Sequence, residues 1–219
     1  APSPELVTFA PRFAAALRHL SPEVANAYVT GGELILDIAL LRSIADYTDD
    51  AMAHAVMQLV NRDESRHIAM DYFMTEYYAA GRHDARRGPR SLLDHARAAW
   101  AFAALLHAAK PFVTVVFFEP SRVADPSGRR MKEAFKRLQL LAAKPHLVDR
   151  PFAKFMTSLR TAFNTPVVGR VLGRVICRIL AAPPELLVDL YSEDEARRAR
   201  AMTIEELAAE ALGAKHLPA

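Results

Sequence analysis

One long stretch without proline or glycine, residues 49–80, most constrains how this chain can fold. Asp49 and Asp50 supply carboxylates suited to capping the amino-terminal end of a helix. Gly81 suits the left-handed residue that ends one. The stretch therefore predicts a single long helix over residues 49–80.

The same reasoning predicts a second long helix immediately before the first. Ser21-Pro22-Glu23 has the order of an N-cap, a first helical residue and a first-turn acid, which predicts a helix over about residues 22–46. Only a tight turn separates the two helices, so we expect an antiparallel pair. Alanine- and leucine-rich segments, only 8 glycines in 219 residues and no alternating Val/Thr/Tyr runs extend this prediction to an all-α protein.

Further helical segments are predicted on both sides of the pair. They cover about residues 4–18, 128–142, 150–162, 166–180 and 203–212, the last with a capping box formed by Thr203 and Glu206. The loop at 81–90 is the predicted boundary between a site-bearing region, residues 1–81, and a helical accessory region, residues 82–219.

An apolar segment at residues 92–118 is expected to be broken by Lys110-Pro111. Together with Arg97 and His107, this break argues against a transmembrane span.

The two predicted regions differ in charge. Residues 1–81 hold 5 basic and 11 acidic residues, whereas residues 82–219 hold 23 and 14, so their net charges are −6 and +9. The basic residues are dispersed among helices instead of clustered with aromatics, which predicts an ordinary solvated surface and no nucleic-acid partner. Residues 166–180 place Arg170, Arg174 and Arg178 along one helix face. We interpret them as a solvated stripe, with peripheral membrane contact or an acidic partner such as an electron-donor protein as alternatives.

A single cysteine, Cys177, lies in an apolar stretch, which excludes an internal disulfide framework and a cysteine-based zinc site. A reduced cysteine and the absence of a signal peptide predict a cytoplasmic location. Because the first residue is Ala and not Met, we expect the chain to be processed, trimmed or the later part of a longer polypeptide.

The run Asp63-Glu64-Ser65-Arg66-His67 carries the most informative polar residues of the long helix. Residues three apart lie on one helix face, so Glu64 and His67 can both face one metal ion. Glu33 precedes the turn near residue 48 by almost the same length of helix as that by which Glu64 follows it. At about 1.5 Å per residue both stand about 22–24 Å from the turn, so the two carboxylates are expected side by side.

This arrangement, a Glu on one helix followed by Asp-Glu-Ser-Arg-His-Ile on the next, resembles the repeating half of ferritin-like di-iron carboxylate proteins. The residues and spacing of this motif are most similar to those in the second half of para-aminobenzoate N-oxygenase-type enzymes, over about residues 22–80. The resemblance implies a ferritin-like helical bundle, or half of one, with an additional C-terminal helical region. It implies that Glu33 and Glu64 bind iron, or alternatively manganese, with one of them bridging. It further implies that His67 is a terminal ligand and that Asp63 accepts a hydrogen bond from a histidine.

Asp37, Asp71 and Arg66 are predicted to surround these ligands without binding the metal. A structural interpretation of the same residues stays open. Glu64 and His67 could form a hydrogen-bonded pair, and Glu33 could pair with Arg66 or with Arg62 across the helices.

A complete di-metal centre needs two such halves, and the sequence contains a single Glu-x-x-His. It also has Val60 where the N-oxygenase type carries a further histidine. We expect the second half to come from a preceding segment of a longer polypeptide or from another copy in a homodimer. The third alternative is a vestigial site.

The leading functional hypothesis is therefore a non-haem di-iron oxidase or oxygenase that uses dioxygen to oxidise a small organic substrate. The alternatives are a metal-storage protein with the same ligands and a non-catalytic helical interaction protein.

Overall fold

The computed structural model describes residues 2–81, 91–171, 173, 175, 177 and 183–214, and every regular element among them is helical. The predicted all-α class is confirmed. The helices, numbered here in chain order, are α1 (Pro4–Leu17), α2 (Pro22–Tyr47), α3 (Ala51–Ala79), α4 (Leu92–Ala124), α5 (Arg129–Ala142), α6 (Pro151–Asn164), α7 (Pro166–Val171), α8 (Glu193–Ala201) and α9 (Ile204–Gly213), with a 3-10 turn at Pro184–Leu186.

Capping side chains fix the ends of the central pair α2 and α3. The Ser21 hydroxyl accepts a hydrogen bond from the Val24 amide at 3.2 Å. The Asp50 carboxylate accepts one from the Ala53 amide at 2.7 Å. Gly81 has φ 70°, a left-handed conformation that costs glycine little. The boundaries predicted from the sequence for both helices are thus confirmed to within one or two residues.

Two helices contain π-helical segments that the sequence reasoning did not foresee. In α2 the segment is Ile35–Leu41, and in α4 it is Thr114–Phe118. A π-helix bonds residue i to residue i+5, so it takes up more residues per turn than an α-helix.

The break predicted at Lys110-Pro111 was wrong, because α4 runs through Pro111. Proline removes one backbone donor and crowds the preceding turn. Buried residues on both sides of it, Leu105, Ala108 and Phe118, hold the helix together nevertheless.

By length and composition alone, α2 and α4 are both long and apolar enough to cross a membrane. Lys110-Pro111 therefore does not exclude a span at α4. Of the most apolar stretch of each helix, 39% is buried inside the protein in α2 and 22% in α4. A core helix of a soluble protein satisfies the same criterion, so the finding assigns no membrane location.

The main hydrophobic core joins the central pair to helices that follow it in the sequence. Leu34 of α2 and Ile68 and Tyr72 of α3 are fully buried in one cluster with Leu141 of α5 and Leu207 of α9. The predicted boundary loop lies, apart from Gly81, outside the described residues. The two predicted regions nevertheless share this core. A smaller cluster joins α1 to α4, where the Phe9 and Phe112 rings stack at 4.1 Å between centroids.

In the second region, helix α8 was not predicted, although Ser192 and Glu195 form a capping box at its start. Arg174 and Arg178 of the predicted basic stripe lie outside the described residues, as does the side chain of Arg170. That stripe stays a prediction.

Candidate metal centre

Helices α2 and α3 bring Glu33, Glu64 and His67 together. One ligand atom of each side chain lies within 4.8 Å of the other two. His67 Nδ1 is 2.9 Å from Glu64 Oε2 and 3.9 Å from Glu33 Oε2. The convergence predicted from the distances to the turn is confirmed, whereas metal binding itself stays a prediction.

The centre lies at the edge of the core and opens to solvent on the histidine side. The side chains of Glu33 and Glu64 are 23% and 16% exposed, and that of His67 is 51% exposed. The two carboxylates are thus largely withdrawn from water, while the imidazole marks the open side. An ion could enter there without any movement of the core.

Glu33 is the electrostatically strained member of the cluster. Burial raises the pKa of Glu33 to about 7, and the nearby Glu64 and Asp71 carboxyls add to the shift, whereas His67 opposes it. Glu33 Oε2 is buried and accepts no hydrogen bond. Two carboxylates this close need a shared proton or a cation between them.

Asp71 lies one turn beyond His67 on the same side of α3. Burial raises the pKa of Asp71 to about 6, with His67 opposing the shift, and its Oδ2 atom is buried without a hydrogen bond. Asp71 therefore belongs to the surroundings of the centre, where the sequence reasoning placed it.

The pKa of His67 is also raised, which for a histidine favours the charged form. Its hydrogen bond with Glu64 is the largest cause that raises the pKa of His67, and the charges of Glu64, Glu33 and Asp63 act in the same direction against burial. The Glu64–His67 hydrogen bond is also what the structural interpretation predicted. A metal would compete with a proton for this pair.

Asp63 and Arg66 are not among the three convergent residues, and their predicted place around the ligands stays a prediction. They form an ion pair at 3.3 Å on the exposed side of α3, where their side chains are 63% and 73% exposed. Asp63 precedes Glu64 by one position and Arg66 precedes His67 by one position. Each therefore points about 100° away from its neighbour around the helix. Among the described residues, Glu33 forms no ion pair with Arg62 or Arg66, so the predicted alternative for Glu33 is also not observed.

Asp37 is fully buried in the π-helical segment of α2 and is not one of the three convergent residues. A residue that the sequence reasoning missed is Asn26. Its amide donates to the Asp71 carbonyl at 3.1 Å and to the Thr75 hydroxyl at 2.9 Å. This polar bridge fixes α2 against α3 next to the centre. Its signal in the sequence was a set of polar residues on the apolar sides of both helices.

Comparisons with known protein families, curated proteins and solved structures find no match to this chain.

Proposed function

We propose that Glu33, Glu64 and His67 form one half of a carboxylate-bridged di-metal centre that binds iron, with manganese as the alternative. The observation that carries the proposal is the buried Glu33 Oε2 atom, which accepts no hydrogen bond and lies close to a second carboxylate and an imidazole. Two carboxylates and a histidine nitrogen are a donor set that suits divalent iron and manganese. A bound cation would remove the repulsion between the two acids.

We further propose that the completed centre belongs to a non-haem oxidase or oxygenase of the ferritin-like kind. Bound iron would supply one-electron chemistry with dioxygen. Glu33 and Glu64 would hold the cation and balance its charge. Asp71, whose pKa burial raises to about 6, would accept and return a proton beside His67. The substrate class is a small organic molecule, and an electron-donor protein would supply reducing equivalents.

Metal storage without substrate turnover is the second candidate function, and one observation favours it for the isolated chain. Neither of two cavities in the described part of the chain, of about 590 and 420 Å³, is lined by Glu33, Glu64 or His67. An oxygenase needs a substrate cavity beside its metals, whereas storage needs only access for the ion. Dioxygen consumption separates the two. With ferrous iron as the sole electron source, storage should consume dioxygen only in proportion to the iron, whereas an oxygenase given a reductant should consume it in proportion to added substrate.

Metal binding is tested by equilibrium dialysis of the purified chain against ferrous iron without oxygen, and against manganese. We expect Glu64→Ala to weaken binding by about tenfold or more, because it removes the ligand between the other two. The matched control is Glu76→Ala, an exposed acid on the same helix. If Glu64→Ala binds as much metal as the unmodified chain, the cluster is structural and the oxygenase proposal fails with it.

A further inference from the structure

The exposed side of α3 carries an apolar stripe of regular spacing. Its positions alternate four and three residues apart along the whole helix, which is the spacing of a coiled-coil seam. Six of the eight positions hold large apolar side chains that are between 39% and 73% exposed. They are Met52, Val56, Leu59, Met70, Phe73 and Tyr77.

Asp63 and Arg66 occupy the two central positions of this seam. Single exposed apolar residues are common on protein surfaces, but two groups of three at seam positions, within a row about 38 Å long, are a feature of interaction surfaces. Helices α2 and α9 pack on the other sides of α3, and the side chains of the seam are exposed among the described residues.

The positions of the seam are symmetric about its midpoint. Each position has a counterpart such that the two residue numbers add to 129, which makes the seam complementary to itself when two copies run antiparallel. The pairs are Met52 with Tyr77, Val56 with Phe73, Leu59 with Met70, and Asp63 with Arg66. Each apolar layer then joins two different side chains, and the two central layers join opposite charges.

We propose that a second copy of this chain covers the seam, as an antiparallel α3–α3 dimer in which Asp63 faces the partner's Arg66 and Arg66 faces the partner's Asp63. The charges select this arrangement. A parallel pair in register would set each acid against the same acid and each arginine against the same arginine, which costs several kcal/mol. The antiparallel pair joins opposite charges twice.

The dimer leaves the two candidate metal centres apart. Glu64 follows the seam residue Asp63 by one position, so it points about 100° away from it around α3, toward α2 and away from the partner's α3. The interface is therefore independent of the proposed function.

Charge reversal tests the interface on the full chain, with chelator present so that metal plays no part. Sedimentation equilibrium should show a dimer for the unmodified chain. Asp63→Arg alone and Arg66→Asp alone should each raise the dimer dissociation constant by about tenfold or more, because like charges then meet at the centre. An equimolar mixture of the two variants should restore dimers, as should the double variant. Val123→Glu, at an exposed apolar position on α4, is the matched control and should change nothing.

Cross-linking tests the register. In a Cys177→Ser background, Leu59→Cys with Met70→Cys should yield a covalent dimer on mild oxidation. Leu59→Cys with Phe73→Cys, which does not match the register, should yield little. A monomeric unmodified chain, or charge-reversed variants that dimerise as the unmodified chain does, would overturn the proposal. A metal-free dimer that binds no metal would leave the interface standing and reject the proposed function alone.

Discussion

Glu33 combines two properties that rarely occur together in a residue kept only for stability. Its side chain is 23% exposed, and its Oε2 atom is buried without a hydrogen bond. Withdrawing a carboxylate from water costs free energy unless a partner compensates for the loss. At this position the partners are a second acid, Glu64, whose hydrogen bond and charge both favour a protonated Glu33, and His67 at 3.9 Å, whose charge opposes that effect.

Replacing Glu33 should therefore stabilise the metal-free protein. We expect Glu33→Gln to raise the free energy of unfolding by about 1–3 kcal/mol at pH 8, because it removes a desolvated charge and provides an amide that can donate to Glu64. Thermal or urea unfolding in the presence of chelator measures the change, with the exposed Glu76→Gln as control. A loss of more than about 1 kcal/mol would mean that attraction between Glu33 and His67 outweighs the cost of burial.

Asp125 shows how hydrogen bonds set the stability of a single carboxylate. It is 4% exposed, and it accepts bonds from the Ser127 amide at 3.1 Å and the Arg130 amide at 3.2 Å. Burial by itself would raise the pKa of Asp125, but these hydrogen bonds and the charge of Arg130 outweigh it and lower the pKa below its ordinary value of 3.8. The ionised form is thus more favourable in the folded protein than in the unfolded chain.

This direction fixes the sign of a pH dependence. The stabilisation by Asp125 is present above the unfolded value near 3.8 and is lost as the pH falls through the lower folded pKa. At pH 7 we expect Asp125→Asn to cost about 1 kcal/mol, and the difference should shrink in strong acid. Urea unfolding of both proteins at neutral and acidic pH measures it. Asp149→Asn, at a 90% exposed side chain, should behave as the unmodified protein at both.

Among the elements, α5 holds the carboxyl-terminal end of α2 through one buried cation. Arg130 is 1% exposed, and its guanidinium donates to Asp46 and, at 3.4 Å, to the Ser43 hydroxyl. At the other end of α2, Arg150 Nε donates to Glu23 Oε2 at 2.9 Å. Both ends of the helix that carries Glu33 are thus held by arginines from the second half of the chain.

Loss of the buried cation should cost much of the stability of the fold. We expect Arg130→Met to destabilise the protein by about 3 kcal/mol, because Asp46 then keeps only its bond to Arg42 at 3.1 Å. Urea unfolding followed by circular dichroism measures the loss. The comparison is Arg197→Met, whose ion pair with Asp194 is highly exposed and should contribute little. Equal effects of the two substitutions would show that burial does not strengthen the Arg130 interaction.

At the scale of the whole molecule, local features were predictable from the sequence and distant ones were not. The ends of α2 and α3 follow from caps such as Ser21 and Asp50, which bond to amides within the first turn of each helix. The approach of Glu33 to Glu64 follows from helix rise and one tight turn. These predictions needed no knowledge of the remaining chain.

The packing of the second half of the chain against α2 and α3 depends on residues far apart in sequence. Arg130 is 84 residues from Asp46, and Arg150 is 127 residues from Glu23, so no local pattern connects either pair. The missed helix α8 is a different case. Its capping box was visible in the sequence, but only Ala196 and Ala199 are buried on it, which leaves too narrow an apolar face for periodicity to reveal.

The π-helical segment Ile35–Leu41 lets one helix turn polar side chains toward two neighbouring helices, α3 and α5. Before it, Glu33 faces α3, and after it Ser43 and Asp46 face Arg130 of α5. A wider turn changes the angular phase of every residue that follows. Deleting one residue from the segment would restore an ordinary α-helix and rotate the last turns by about 100° relative to the first. The half of α2 that carries Glu33 and the half that faces Arg130 are therefore two patterns joined out of phase. An insertion or deletion inside the segment changes the angle between the two halves around the helix axis, whereas substitutions on either side leave this angle intact.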